Sequence, residues 1–280
     1  YLSNHPSYGG SHLPDLTVVT PLDLGPVQVF VASRAHHVDV GGLTPGSMPP
    51  DSRKLTDEGF VLRNVPLLEL GSVARTLPFL SESRLPETVR ADLEAQIAAN
   101  QYAASALLEL GEPELILLWM EHLRDVARES VSEVIQNISV GQAADRIADV
   151  DLKLAIHREG KTLSVNFSGT GGPHDGNLNA PPAVLRAAIL YALRVLVGRR
   201  IPLNDGALQD VEIEVPESSL LSPPEGAAVV GGNVETSQRL VDLFFRALGI
   251  RAASQGTMNN LTMGGPGWSY YETIGGGGGA

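Results

Sequence analysis

The chain has 280 residues and no cysteine, which removes disulfides, thiolate nucleophiles and sulfur-ligated metals in one step. It also lacks any apolar run near the roughly twenty uncharged residues that span a bilayer. The most apolar stretch, residues 181–198, is interrupted by Arg186 and Arg194 and reads as a packed helix, so no membrane association is expected. Basic residues are in deficit, 20 Lys and Arg against 32 Asp and Glu, for a net charge of -12. Nucleic acid is therefore not an expected partner, because clustered Lys and Arg carry that affinity. The excess negative charge serves solubility. No Gly-x-x-x-x-Gly-Lys-Ser/Thr phosphate loop and no serine-hydrolase elbow occurs, so any ATP chemistry must reside elsewhere. There is no signal-peptide pattern at the start, and the expected location is cytoplasmic.

What is present is concentrated in two turn-rich clusters, Gly9-Gly10-Ser11-His12-Leu13-Pro14-Asp15 and Arg34-Ala35-His36-His37-Val38-Asp39-Val40-Gly41-Gly42. Residues 16–20 and 27–32 read as two strands joined by Asp23-Leu24-Gly25-Pro26, a hairpin that folds the second cluster back toward the first. His12 and Asp15 then lie at the mouth of one strand, with His36, His37 and Asp39 at the end of its partner. Imidazole with carboxylate suits zinc, manganese, iron or cobalt better than calcium or magnesium. Adjacent His36 and His37 point to opposite faces of an extended segment, so one faces a shared site. The other is a supporting partner or a substrate contact. Hydrogen-bonded loop histidines remain the alternative to a metal site, since polar turns use His and Asp to satisfy backbone groups.

The expected architecture is α+β, in three regions. Residues 1–75 form a Gly/Pro-rich β and loop region carrying the metal site, 76–140 a helical pair and 141–280 a mixed β/α region. Pro86 suits a first helical turn and Gly111 ends that helix at Leu110. A second helix over 113–136 places Leu115, Leu118, Trp119, Leu123, Val126 and Ala127 on one face, and the two helices are expected to pair antiparallel. His122 reads as a core-edge histidine. Residues 150–156 and 163–167 form a hairpin turning at Glu159-Gly160, with His157 solvated at its turn, and 210–216 a further strand. Small residues from Ser168 to Pro173, followed by Asn177-Leu178-Asn179 before the apolar helix, suit an anion site or a plain turn and cap. Gly231-Gly232-Asn233-Val234-Glu235-Thr236-Ser237-Gln238-Arg239 is a second polar constellation. Its Asn233, Glu235, Thr236, Ser237 and Gln238 are candidate substrate contacts, with helix capping as the competing role.

These runs, with Ala95-Gln96-Ile97-Ala98-Ala99-Asn100, Ala253-Ser254-Gln255-Gly256-Thr257-Met258-Asn259-Asn260 and Tyr270-Tyr271-Glu272-Thr273-Ile274-Gly275-Gly276, resemble the hydantoinase B/oxoprolinase family nearly end to end. The resemblance implies a metal-dependent subunit of an ATP-dependent cyclic-amide hydrolase. An ATP-binding hydantoinase A-type partner in a hetero-oligomer would phosphorylate the substrate carbonyl. By similarity His12, Asp15 and His37 are the metal ligands; in the mechanism that these residues suggest, His36 or Asp39 would orient or deprotonate water. The same resemblance leaves two alternatives, an alpha-type subunit of a ketone carboxylase and a non-catalytic assembly subunit. Members of the family are longer at both ends, so the chain reads as a fragment whose full ligand set includes an acidic residue from the missing amino-terminal part. The family usually has Asp at the position of His5, which reads as a spectator.

Overall fold

In the computed structural model, residues 1–25, 27–69, 72–73 and 77–276 are described. Pro26 of the expected turn, positions 70, 71 and 74–76, and residues 277–279 of the terminal glycine run lie outside them.

The front of the molecule is built on a long hairpin, β2 (Asp15–Asp23) and β3 (Gln28–His36), with β1 (Leu2–Ser3) on the outer edge of β2. The ladder runs in register from Asp15 opposite His36 to Asp23 opposite Gln28, so the two polar clusters meet at the open end as expected. Strands β4 (Leu68–Glu69) and β5 (Ser72–Val73) form a small separate pair. Helix α1 (Pro86–Glu109) begins on a proline at its first turn, where a missing N–H costs nothing. It lies across β2 and β3 and buries Val89, Leu93 and Ile97 in a front core with Leu13, Leu16, Val18, Val40 and Phe60.

The rear is a four-stranded sheet in the order β6 (Gly141–Ile147), β7 (Val150–Glu159), β8 (Thr162–Asn166), β9 (Val211–Glu214). The β7–β8 hairpin is the expected one, and β9 joins β8 in parallel. On β7, Leu152, Leu154 and Ile156 alternate inward, as a half-buried strand requires. They share one core with α2 (Pro113–Asn137), α3 (Pro182–Val197) and α4 (Ser237–Ala247). A final hairpin, β10 (Asn260–Gly265) and β11 (Trp268–Thr273), follows; sequence patterning did not predict it or β6.

The expected antiparallel helical pair is corrected. The helix boundaries agree closely, but α1 contributes to the front core whereas Ala127, Val131 and Ile135 of α2 enter the rear core. In the first half of α2 Ile116 is buried, but Leu115, Leu118, Trp119 and Leu123, read as a buried stripe, are 45–61% exposed. Trp119 meets the edge of the His122 ring, with centroids 5.7 Å apart. Periodicity reports that a face is apolar, not which surface it meets. Among the described residues no helix is long and apolar enough to cross a membrane.

Candidate metal centre and adjoining cleft

His12 and Asp15 sit at the entry to β2 and His36 ends β3, so cross-strand pairing of Asp15 with His36 assembles the site. One ligand atom from each of the three lies within 4.8 Å of the others. Asp15 Oδ1 is 3.2 Å from His36 Nδ1, and its Oδ2 accepts from the Ser11 hydroxyl at 2.5 Å. His12 Nδ1 is 3.1 Å from Asp15 Oδ2, yet it is buried and makes no hydrogen bond. Burial works to raise the Asp15 pKa, but the His12 and His36 imidazoles and the Ser11 hydroxyl outweigh it and hold the carboxyl well below its usual range. Two imidazoles and an ionised carboxylate with an unused nitrogen between them are a donor set for a borderline divalent ion. These residues fit the group that the sequence pattern implies.

His37 points away from this triad. It is fully buried, its Nε2 lies 2.9 Å from Gln96 Oε1, and its Nδ1 has no partner. Burial is the chief influence on the imidazole and lowers its pKa. Gln96 also donates to the carbonyls of Leu16 and Ser33, while Asn100 one turn on donates to those of Val18 and Val31. Two amides on one face of α1 thus clamp the hairpin and the strand end that carries both histidines. Sequence reasoning gave neither residue a role. The available signal was a pair of amides four apart, in line with Val89, Leu93 and Ile97.

Asp39 is not brought to the triad. Its fully buried carboxylate accepts from the backbone N–H groups of Gly41, Gly46 and Arg84 and pairs with the Arg84 guanidinium at 3.1 Å. It organises the glycine-rich loop after β3. That loop meets β10–β11, where a Cβ on Gly46 would lie 2.4 Å from the Thr262 methyl. In turn β11 places the Tyr271 ring on His36, with centroids 4.8 Å apart and planes 28° from parallel. Tyr271 is a contact to the triad that local pattern could not reveal.

Asp15 of the triad lines a cleft of about 920 Å³ that reaches from Ser11 and Arg34 to Asn233, Ser237 and Gln238, with Ala183, Ala187 and Tyr191 of α3 along its side. Residues Gly232–Thr236 form a π-turn that leads into α4, a distortion frequent at functional sites. A side chain at Gly232 could not be accommodated, since its Cβ would lie 1.9 Å from the Asn179 carbonyl oxygen. Of the other expected substrate contacts, Thr236 is buried and donates to the Leu178 carbonyl at 2.6 Å. Glu235 accepts from Thr257 at 2.6 Å and lines a separate cleft of about 510 Å³ with Asn177 and Asn259. Asn177 and Asn179 donate their side-chain amides to the loop carbonyls of Pro49, Pro50, His174, Gly176 and Ala228. His5 accepts from the Ser7 N–H and lies 3.4 Å from Glu225.

The sequence model of the hydantoinase B/oxoprolinase family matches residues 1–280. 5-Oxoprolinase 1 of Arabidopsis thaliana is 43% identical over the whole chain, which spans 25% of that protein. The B component of a putative D-/L-hydantoinase from Pseudomonas sp. strain NS671 is 25% identical, over 88% of this chain and 46% of its own length. The crystal structure of an ATP-dependent caprolactamase from Pseudomonas jessenii superposes with a TM-score of 0.77 at 19% identity, covering 88% of this chain and 46% of that one. The chain therefore spans between a quarter and a half of the length of these relatives.

Proposed function

The chain belongs to the hydantoinase B/oxoprolinase family, and on that premise we propose that it is the metal-bearing part of an ATP-dependent cyclic-amide hydrolase. The observation that carries this reading is the convergence of His12, Asp15 and His36, with Asp15 lining a cleft whose far wall presents Asn233, Ser237 and Gln238. In the proposal, His12, Asp15 and His36 hold the ion, while His37, braced by Gln96, stiffens the strand end. Ser11 orients the Asp15 carboxylate. Asn233, Ser237 and Gln238 offer amide and hydroxyl groups to the ring amide.

An unstrained cyclic amide is a poor electrophile. An ATP-binding partner of the hydantoinase A type would transfer a phosphoryl group from ATP to its carbonyl oxygen, releasing ADP. Attack of one water at that carbon then breaks the C–N bond with the ring nitrogen leaving as an amine, and a second water cleaves the resulting acyl phosphate to the ring-opened acid and phosphate. A divalent transition ion, zinc, manganese, iron or cobalt, would supply Lewis acidity that lowers the pKa of water toward neutrality. The naming of one relative as a component of a hydantoinase and the exposed apolar stripe of α2 support a hetero-oligomer. A cytoplasmic assembly with access to ATP belongs to the same proposal.

Two measurements test it. Mixed with the ATP-binding subunit, the assembly is expected to open a cyclic amide only when ATP is present. Ring opening by the protein alone, at a rate indifferent to ATP and partner, would replace this mechanism with a self-contained amidohydrolase. By elemental analysis, His12→Ala, Asp15→Ala and His36→Ala are each expected to lose most of one bound ion per chain, with His37→Ala retaining it. Full metal content in the first three would remove the site, and loss in His37→Ala alone would transfer the ligand role to that residue.

A further inference from the structure

We propose that the cleft recognises a carboxylate on its substrate through Arg34 and Arg251. The inference rests on the cyclic-amide reading and narrows it to rings that bear an acid group. Arg34 lies two residues before His36 on the same exposed face of β3, a separation of about 7 Å along a strand. Its Nε donates to Thr17 Oγ1 and its Nη2 to the Gly9 carbonyl, both at 2.8 Å. The guanidinium is thus fixed beside the triad, with Nη1 free of protein partners among the described residues.

Arg251 lines the same cleft from the segment that follows α4. Among the described residues it has neither an ion pair nor a hydrogen bond. The carboxylates of the cleft are already committed. Asp242 accepts from the backbone N–H and hydroxyl of Ser254, at 2.8 and 2.9 Å, and Asp15 faces its imidazoles and Ser11. Neither guanidinium is ion-paired to these carboxylates among the described residues, so both keep donors open to the concavity. The wall beside them, Ala183, Ala187 and Tyr191, is largely apolar. That combination suits a small ring with an anionic group, because a guanidinium fork matches a carboxylate in both charge and geometry.

The test compares 5-oxoproline with 2-pyrrolidinone, the same five-membered lactam without the acid, in the assembled enzyme with ATP. Arg251→Gln is expected to reduce the ratio of kcat/KM for 5-oxoproline over 2-pyrrolidinone by about tenfold or more. Arg34→Lys, which keeps the charge but not the fork, should lower it less. Calorimetric titration of the protein without ATP supplies a second readout. Wild type should bind 5-oxoproline more tightly than 2-pyrrolidinone, and Arg251→Gln should erase that difference. An unchanged ratio would overturn the inference, and an equal loss on both lactams would assign the guanidiniums to an anion common to both, such as a phosphorylated carbonyl. Equal binding of the two lactams by wild type would overturn it as well. Arginine-dependent binding of 5-oxoproline without ATP-dependent ring opening would sink the hydrolase reading and leave this inference standing.

Discussion

The front and rear walls of the cleft are stabilised by different means. The rear is a regular ladder and three helices around one apolar core, with Leu152, Leu163, Phe167, Leu193 and Phe244 at most 1% exposed. The front has a smaller core, and its loops are tied by buried polar side chains. Asn4, for example, donates to the carbonyls of Leu13 and Phe60 and accepts from the Leu62 N–H. Backbone that leaves the ladder must find its hydrogen bonds elsewhere. At the front a few side chains supply them, so the same residues that satisfy the loops also aim the triad. The contrast teaches that rear substitutions should act through stability, whereas front substitutions should also act through the site.

The largest stability loss is expected at the rear. Phe244→Ala should cost about 3–5 kcal/mol by leaving a cavity, read as a drop in thermal midpoint. Metal affinity of the fraction that stays folded should be retained; its loss would mean the walls are not separable in this way. Asp39→Asn at the front should cost about 2–3 kcal/mol, since an amide donor then opposes the N–H groups of Gly41, Gly46 and Arg84. Unlike the rear variant, it should weaken metal binding in the folded protein, because the loop it organises supports the hairpin that carries Tyr271. Metal affinity equal to wild type would break that link.

The smallest effect at pH 6 is expected from Glu58→Gln, which sharpens the comparison because Glu58 joins the walls. Its Oε1 accepts from the N–H groups of Val229 and Val230 ahead of the π-turn and from Ser52, while Oε2 is buried without a partner. Burial pushes this carboxyl up to about 7 from 4.5, against the lowering effect of those donors. The folded state therefore holds the proton more tightly than the unfolded chain. That stabilisation is complete below about pH 4.5 and is lost as pH rises through about 7. Thermal midpoints of wild type should fall relative to Glu58→Gln between pH 4.5 and 8. A constant difference would show that Glu58 does not titrate in this range.

How much was legible in advance follows the same division. The β2–β3 and β7–β8 hairpins and all of α1 and α2 could be read to within a few residues, because period, proline and glycine act locally. The stripe of α2 could be identified but not its destination. At the site, His12, Asp15 and the two adjacent histidines were evident as a cluster, and Asn233, Ser237 and Gln238 as a polar constellation. Their shared cleft was not, nor were the parts played by Gln96, Asn100 and Tyr271. Those roles depend on contacts between residues as far apart as His36 and Tyr271.

The sequence by itself determined that this is an α+β chain without thiol chemistry, with imidazole and carboxylate at the open end of a hairpin and polar groups before its last helix. Those properties belong to residue types and short spacings. Tertiary structure decided that His36 faces Asp15 while His37 turns to Gln96, that Asp39 secures a loop, and that Arg34 and Arg251 share a cavity. Alternation tells which neighbours face apart, but only packing tells which face meets helix α1 and which meets the cleft.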